Sequence, residues 1–130
     1  MAAHKLLLDT SAVVAFFNGD PSIRALIAIS GGVFVPVIVI GELLGGALRS
    51  ARVADNVAQV EAFAADNHVL DCDIETARQY GEIYSELSAI GRRIPENDIW
   101  IAAVARQHGL PLAARDAHFD RVPMLMRVLC

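Results

Sequence analysis

Four acidic residues stand at positions from which distant parts of the chain would meet. Asp9 directly follows an apolar run, and Asp116 follows a second, shorter one. Glu42 lies in the first half of an expected helix, and Asp98 lies at the start of another. In open parallel α/β sheets, ligands bind beyond the carboxyl ends of the strands. We therefore predict that these four carboxylates converge on one edge of a sheet.

Carboxylates held close together repel one another, and leaving them ionised and unpaired inside a protein is costly. A bound cation removes that cost. Oxygen ligands favour Mg²⁺, with Mn²⁺ as an alternative. A cation there lowers the pKa of bound water and stabilises charge on a phosphoryl oxygen. The acids therefore indicate hydrolysis of a phosphodiester bond.

Each acid also has a simpler interpretation. An aspartate at the start of a helix is more often a cap than a ligand, which applies to Asp98 and less strongly to Asp116. A glutamate within a helix usually faces solvent, but Glu42 has apolar and glycine neighbours on both sides. A purely structural role is least expected for Asp9, because the end of a strand in such a sheet is a position where ligands bind.

These placements assume that strands and helices alternate. Apolar and β-branched runs predict strands at residues 5–9, 32–36, 68–70, 112–114 and 127–129. Helical spacing, caps and breakers predict helices at residues 12–18, from the turn at 19–22 to residue 30, and at 37–52, 54–66, 73–90 and 98–108. We expect Thr10 and Ser11 to cap the first helix, and Asn97 or Asp98 to begin the last one. The alternation predicts an α/β sandwich around a mainly parallel sheet.

The composition fits one such domain. The chain has 130 residues and no repeat, low-complexity segment or linker, so residues 1–130 are predicted to form a single domain. No apolar run reaches the ~18 residues that span a bilayer, and the first residues do not form a signal-peptide pattern. We expect a cytoplasmic protein without membrane contact. Cys72 and Cys130 have no partner at disulfide or zinc spacing and are expected to be reduced.

The charge pattern does not suggest a broadly basic surface. The net charge is −4, although Lys5 is the only lysine and ten of the eleven basic residues are therefore arginines. Arginine pairs with phosphate in two-point contacts. A local basic rim is one interpretation of six of them, Arg49, Arg52, Arg92, Arg93, Arg115 and Arg121. The alternative is that they are solvated charges.

The remaining residues that could carry chemistry are isolated in the sequence. The histidines lack metal-ligand spacing and are predicted to have surface or cap roles; they are His4, His68, His108 and His118. Trp100 is predicted to pack in the core or in a dimer interface rather than to stack on a base.

The chain resembles the PIN-domain nucleases, and among them the toxins of VapBC-type toxin–antitoxin pairs. The resemblance is carried by four segments in the family order, LLLDTS at 6–11, VIGELLGG at 39–46, PENDIWIAA at 95–103 and LAARDAHF at 112–119. Each segment alone is weakly specific, but together they cover nearly the whole chain.

The resemblance implies a three-layer α/β/α fold with a sheet of four or five strands. It also implies acidic Mg²⁺ ligands at Asp9, Glu42, Asp98 and Asp116, endoribonuclease activity, and inhibition by a small cognate antitoxin. Together with the alanine- and valine-rich helix from Ala54, it predicts a homodimer that binds the antitoxin over an apolar groove.

The chain departs from the family pattern at one point. Members often carry Ser or Thr two residues before the last acid, where this chain has Ala114. Asp120, four residues after Asp116, is a candidate to supplement the site.

Two other classes of protein share parts of this pattern. A haloacid-dehalogenase-type phosphotransferase needs a second aspartate two residues after the first, where this chain has Ser11, and a later lysine, which is missing. The missing lysine also argues against a receiver domain. A non-catalytic module that binds RNA or a partner on the same fold remains the alternative, and metal-dependent turnover would distinguish it from a nuclease.

Overall fold

The computed structural model describes residues 4–128, in which strands and helices alternate. The strands are β1 Lys5–Leu8, β2 Gly32–Pro36, β3 His68–Leu70, β4 Leu112–Ala113 and β5 Arg127–Val128. The helices are α1 Thr10–Phe17, α2 Pro21–Ile29, α3 Val37–Leu48, α4 Val53–Asp66, α5 Ile74–Ala89 and α6 Glu96–His108, followed by a short 3₁₀ helix at Ala117–Arg121. The predicted order of elements is confirmed. Leu129, the last residue of the predicted fifth strand, lies outside the described residues.

The strands form one sheet in the order β3-β2-β1-β4-β5, and every neighbouring pair is parallel. β1 is central, with Leu7 in register with Phe34 on one side and Leu112 on the other. Leu7 and Leu8 are fully buried, as expected for a strand covered on both faces. The predicted three-layer α/β/α fold with a parallel sheet is confirmed.

The first helix begins differently from the prediction. Thr10 and Ser11 are its first residues, and Asp9 is the N-cap, with its side chain accepting a hydrogen bond from the backbone N–H of Ala12. Asp9, which directly follows β1, thus also satisfies the Ala12 N–H, a backbone donor that has no partner within the helix. The expectation that Thr10 and Ser11 cap the helix was wrong because the strand ends one residue earlier than predicted, at Leu8.

The start of α6 also differs. Pro95 occupies the N-cap position, and its carbonyl accepts hydrogen bonds from the N–H groups of Asp98 and Ile99. Asp98 is therefore the third residue of the helix and not its cap. A proline at a helix start is favourable because its fixed φ suits the helix and its missing N–H would have had no helical partner. α6 ends at Gly109, whose left-handed conformation (φ 62°) suits glycine.

The prediction that the third helix extends from residue 37 to residue 52 was also wrong at its end, because α3 ends at Leu48. The hydroxyl of Ser50 donates to the carbonyl of Ala47 (2.6 Å) and accepts from Nδ2 of Asn56 (2.9 Å). These side-chain bonds close a turn that apolar spacing does not reveal.

α5 and α6 pack together through aromatic side chains. The ring centroid of Trp100 lies 4.3 Å from that of Tyr80, so the tryptophan joins the two helices. Cys72 is an exposed free thiol, and Cys130 lies outside the described residues. Between residues 4 and 128, no single helix has the length and apolar character to cross a membrane, and α1 and α2 have it only as a pair bent by 106°.

Candidate active site

Asp9 is held at the end of the central strand and is only 5% exposed. Its Oδ1 accepts hydrogen bonds from the Ser11 hydroxyl (2.7 Å) and from the Ala12 N–H (2.8 Å). The Ser11 hydroxyl also accepts a long hydrogen bond (3.5 Å) from the N–H of Arg115, in the segment after β4. Ser11 therefore orients Asp9 and links it to the loop that carries Asp116.

Asp98 and Asp116 are brought together by a histidine. Nε2 of His118 lies 2.8 Å from Oδ2 of Asp98, and Nδ1 lies 3.0 Å from Oδ2 of Asp116. The Nε2 atom is buried, and His118 opposes the rise in the pKa of Asp98 both by charge and by hydrogen bonding. Asp116 is also the cap of the 3₁₀ helix, accepting from the N–H of His118 (3.0 Å). The cap interpretation therefore holds for Asp116 but not for Asp98.

The predicted surface or cap role of His118 was wrong, since its side chain is only 16% exposed and contacts two site acids. Its position two residues after Asp116 was the signal available in the sequence. That signal was weak, because Asp98 is distant in the chain and only the folded structure brings it to the ring.

Glu42 reaches the site from α3. Its Oε1 atom and Oγ1 of Thr10 are both buried without a well-aligned hydrogen bond among residues 4–128, although the Thr10 side chain lies close enough to the carboxylate to oppose the rise in its pKa. Buried polar atoms are almost always hydrogen-bonded, because an unsatisfied one retains its full desolvation cost. The free Oε1 therefore marks a place where a ligand is expected.

The charges of these acids act on one another. Burial raises the pKa of Asp9, and the nearby charges of Asp98 and Asp116 raise it further. Burial also raises the pKa of Glu42; the Thr10 side chain opposes that shift, and the charges of Asp98 and Asp9 add to it. For Asp98, burial raises the pKa, His118 opposes that shift and Asp116 adds to it. The structure thus brings all four predicted acids into one electrostatic cluster, here called the acidic site.

The residues of the acidic site fit a hard cation. The donors are carboxylate oxygens, one of them buried and unpaired, and burial disfavours their charged forms. No three His, Cys, Asp or Glu side chains within residues 4–128 are already arranged closely enough to surround a metal ion. Carboxylate oxygens and water are the ligands that suit Mg²⁺, Mn²⁺ and Ca²⁺ alike.

Asp120 does not join the acidic site. Both of its oxygens are engaged by Arg127, from Nε to Oδ1 (2.8 Å) and from Nη2 to Oδ2 (3.0 Å). This two-point pair connects the 3₁₀ helix to the edge strand β5 and lowers the pKa of Asp120.

Ala114 occupies the position where family members often carry Ser or Thr. It is fully buried, and its backbone carbonyl accepts a hydrogen bond from Nη1 of Arg127 (3.1 Å).

The six arginines of the predicted rim do not act together. Arg115 pairs with Asp20 and Arg52 pairs with Asp55, while Arg49 follows the end of α3. The other three line one cleft of about 530 Å³ next to Asp116 and His118; they are Arg92, Arg93 and Arg121. The basic rim is therefore confined to one side of the acidic site.

The structure has other cavities besides the cleft lined by Arg92, Arg93 and Arg121. A groove of about 400 Å³ between α1, α3 and α4 includes Thr10 and Glu42 and is otherwise mainly apolar. A cavity of about 450 Å³ lies at the opposite edge of the sheet and is lined by residues such as His4, Leu26 and Met126, with no carboxylate. The acids assign the chemistry to the carboxyl edge and not to this second cavity.

Comparison with known proteins agrees with this geometry. Residues 6–125 match the model of the PIN domain. The chain is 36% identical to ribonuclease VapC2 of Haemophilus influenzae, over 91% of this chain and 92% of that protein. It is 35% identical to ribonuclease VapC5 of Mycobacterium tuberculosis, over 87% and 84% of the two chains. The chain therefore belongs to the PIN-domain family and, within it, to the VapC ribonucleases.

A solved structure shows the same fold. The crystal structure of DNA-bound VapBC from Salmonella typhimurium contains a chain that superposes with a TM-score of 0.88 at 29% identity, covering 96% of this chain and 97% of that one.

Proposed function

We propose that this protein is a metal-dependent endoribonuclease and the toxin component of a type II toxin–antitoxin pair. The observation that carries the proposal is the partly buried, mutually repelling carboxylate cluster at the carboxyl edge of the sheet, to which Glu42 contributes a buried Oε1 atom. Membership of the VapC ribonucleases supports RNA as the substrate.

In this proposal, Asp9, Glu42, Asp98 and Asp116 hold one or more Mg²⁺ ions, with Mn²⁺ as a substitute. The cation, when bound, supplies water of lowered pKa and neutralises charge on the phosphoryl oxygens. Ser11 and the Ala12 N–H keep Asp9 in one orientation through their two hydrogen bonds to Oδ1. That leaves Oδ2 of Asp9 without a hydrogen bond from the described residues and available as a ligand.

His118 positions two of the proposed ligands. Its ring nitrogens lie within 3.0 Å of carboxylate oxygens of Asp98 and Asp116. Groups that orient metal ligands in this way preorganise the site, because the ligands then lose less freedom on binding. His118 is therefore proposed as a positioning residue.

Removal of divalent metal tests the nuclease. Purified protein should cleave RNA with Mg²⁺ or Mn²⁺, lose cleavage in excess EDTA, and regain it when Mg²⁺ is restored. Ca²⁺ should substitute poorly because its bonds are longer and its geometry looser. Turnover at full rate in EDTA, by protein freed of contaminating nuclease, would contradict the mechanism. Absence of turnover with any metal would favour the non-catalytic binding module.

We also propose a small antitoxin as the partner and a homodimer as the assembly. The apolar groove between α1, α3 and α4 supports the partner, since it is lined by Val14, Phe17, Leu43 and Val60 and reaches Glu42. Val14 is 42% exposed there, although it is a large apolar side chain. A helix or strand of the antitoxin that fills this groove would cover the approach to the acidic site.

Light scattering and a cleavage assay test the assembly. The purified chain should be a dimer at micromolar concentration, and co-expression with the small reading frame adjacent to its gene should yield a heavier complex that no longer cleaves RNA. A monomer that is not inhibited by the neighbouring product would count against both parts of the proposal.

A further inference from the structure

The cleft beside the acidic site combines three arginines with two residues of that site. Arg92, Arg93 and Arg121 line it together with Asp116 and His118, and its volume is about 530 Å³. It is thus continuous with the place where the proposed reaction occurs.

Chain connectivity explains why these arginines meet there. Arg92 and Arg93 lie in the loop between α5 and α6, shortly before Asp98. Arg121 is the last residue of the 3₁₀ helix that Asp116 caps. The two segments that supply Asp98 and Asp116 therefore also supply the basic residues, which fixes the arginines relative to the acids.

Arg93 and Arg121 are held in place without being neutralised. Nη1 of Arg121 donates to the backbone carbonyl of Arg93 (3.2 Å), and the guanidinium of Arg93 lies 5.2 Å from the ring centroid of Tyr84. Neither interaction involves a negative charge. Among residues 4–128, Arg92, Arg93 and Arg121 form no ion pair with a carboxylate, unlike Arg52 and Arg115.

The acids in the cleft do not cancel this charge. Asp120 is already matched by its two-point pair with Arg127, and Asp116 belongs to the acidic site. Three exposed guanidinium groups thus remain for an outside anion, in a protein whose net charge is −4. Guanidinium groups bind phosphate in two-point contacts and remain charged at any physiological pH.

We infer that this arginine cleft binds the RNA backbone on one side of the scissile phosphate, with Arg92, Arg93 and Arg121 contacting the flanking phosphates. The inference rests on the proposed ribonuclease function and adds the direction in which the substrate strand leaves the acidic site. It makes these arginines substrate-positioning residues that do not contact the metal.

A salt titration of RNA binding tests the cleft. Binding of a fluorescein-labelled single-stranded oligoribonucleotide is followed by anisotropy over a range of KCl concentrations, in an Asp98→Asn background that prevents cleavage. Arg92→Gln, Arg121→Gln and the double variant are compared with Arg49→Gln, an exposed arginine outside the cleft that loses the same charge. Removing one arginine–phosphate pair should make the slope of log K against log salt shallower by about 0.7.

Arg92→Gln and Arg121→Gln should each show that change, the double variant should show more, and Arg49→Gln should match its parent. In the active background, the double variant should raise KM for RNA while its half-saturating Mg²⁺ concentration stays that of the wild type. The Arg92 side chain makes no hydrogen bond or ion pair among residues 4–128, so its variant tests the cleft even where Arg121→Gln disturbs the Arg93 loop.

The two proposals can fail separately. Arginine-dependent RNA binding by a wild-type protein that never cleaves RNA would contradict the nuclease but support the cleft. Cleavage by the wild type, with equal salt slopes for Arg92→Gln, Arg121→Gln and Arg49→Gln, would overturn the cleft and leave the nuclease standing. Failure of the parent protein to bind RNA at all would also overturn the cleft.

Discussion

An aspartate lies at each end of α6, and the electrostatic environments of the two carboxylates are opposite. At the first turn, Asp98 is a helix residue among other acids, and burial raises its pKa. At the last turn, Nε2 of Gln107 donates to Oδ1 of Asp73 (2.9 Å), which also accepts from the Thr76 N–H (3.0 Å). These hydrogen bonds lower the pKa of Asp73, the N-cap of α5.

The difference separates structural acids from functional ones. Asp73 has donors for its charge and stabilises the metal-free fold. Asp98 stands close to like charges in a half-buried position, so the metal-free fold gains little from its ionised form. This unfavourable electrostatic arrangement is the basis of the proposed cation site, because a cation would offset the repulsion that His118 offsets only in part. The comparison can be tested by exchanging carboxylates for amides at the two ends.

The largest effect is expected from Asp98→Asn, which should reduce RNA cleavage by more than the 10–100-fold typical of residues outside the ligand shell. The metal-free protein should keep its fold, with a change in stability within about 1 kcal/mol, since relief of repulsion opposes the loss of a favourable charge at the helix start. Mg²⁺ at about 100 times its Kd should raise the unfolding free energy of the wild type by about 2.7 kcal/mol. The variant should show a much smaller increase.

Asp73→Asn is the matched control for that experiment. Asparagine caps a helix about as well as aspartate, so this variant should retain both its fold and its cleavage activity. Thermal melts with and without Mg²⁺, run beside the cleavage assay, measure both variants. Unchanged turnover in Asp98→Asn would remove Asp98 from the acidic site.

An intermediate effect is expected from His118→Ala, which removes the interactions with Asp98 and Asp116. Half-saturating Mg²⁺ for cleavage should rise by about 10–100-fold, with much of kcat recovered at high Mg²⁺, because a positioning residue affects the affinity of the ligands it orients. His108→Ala, at an exposed position in the last turn of α6, is the control. A loss of kcat that Mg²⁺ does not restore would instead indicate that His118 takes part directly in the reaction.

The smallest effect is expected from Asp73→Ala, which should lower stability and leave cleavage intact. Because the pKa of Asp73 is lowered in the folded protein, its contribution is present above the pKa of the unfolded chain and disappears as the pH falls through the folded value. The melting temperatures of wild type and variant should therefore differ most near pH 7 and approach each other below about pH 4, near the unfolded aspartate pKa. A difference that does not depend on pH would mean that the carboxylate charge is not what stabilises the cap.

Local sequence patterns were enough to predict the order of the elements and most residues of the candidate site. Apolar runs and breakers are local signals, so the strands at 32–36 and 68–70 were predicted with their observed bounds. The four acids were also predicted from local signals, since an acid at a strand end or in the first part of a helix is visible in the chain. Caps were less predictable, because a shift of one residue at the end of β1, or of two at the start of α6, changes which residue satisfies the free N–H groups.

Contacts between side chains from distant parts of the chain follow from the packing of the folded protein. The strand order β3-β2-β1-β4-β5 puts the end of β1, and so Asp9, between the segments that carry Glu42 and Asp116. It also placed His118 against Asp98, paired Asp120 with Arg127, and separated the arginines of the cleft from those held in ion pairs. Each of these outcomes depends on distances between residues far apart in the chain, which packing of the helices on the sheet sets and local patterns do not encode.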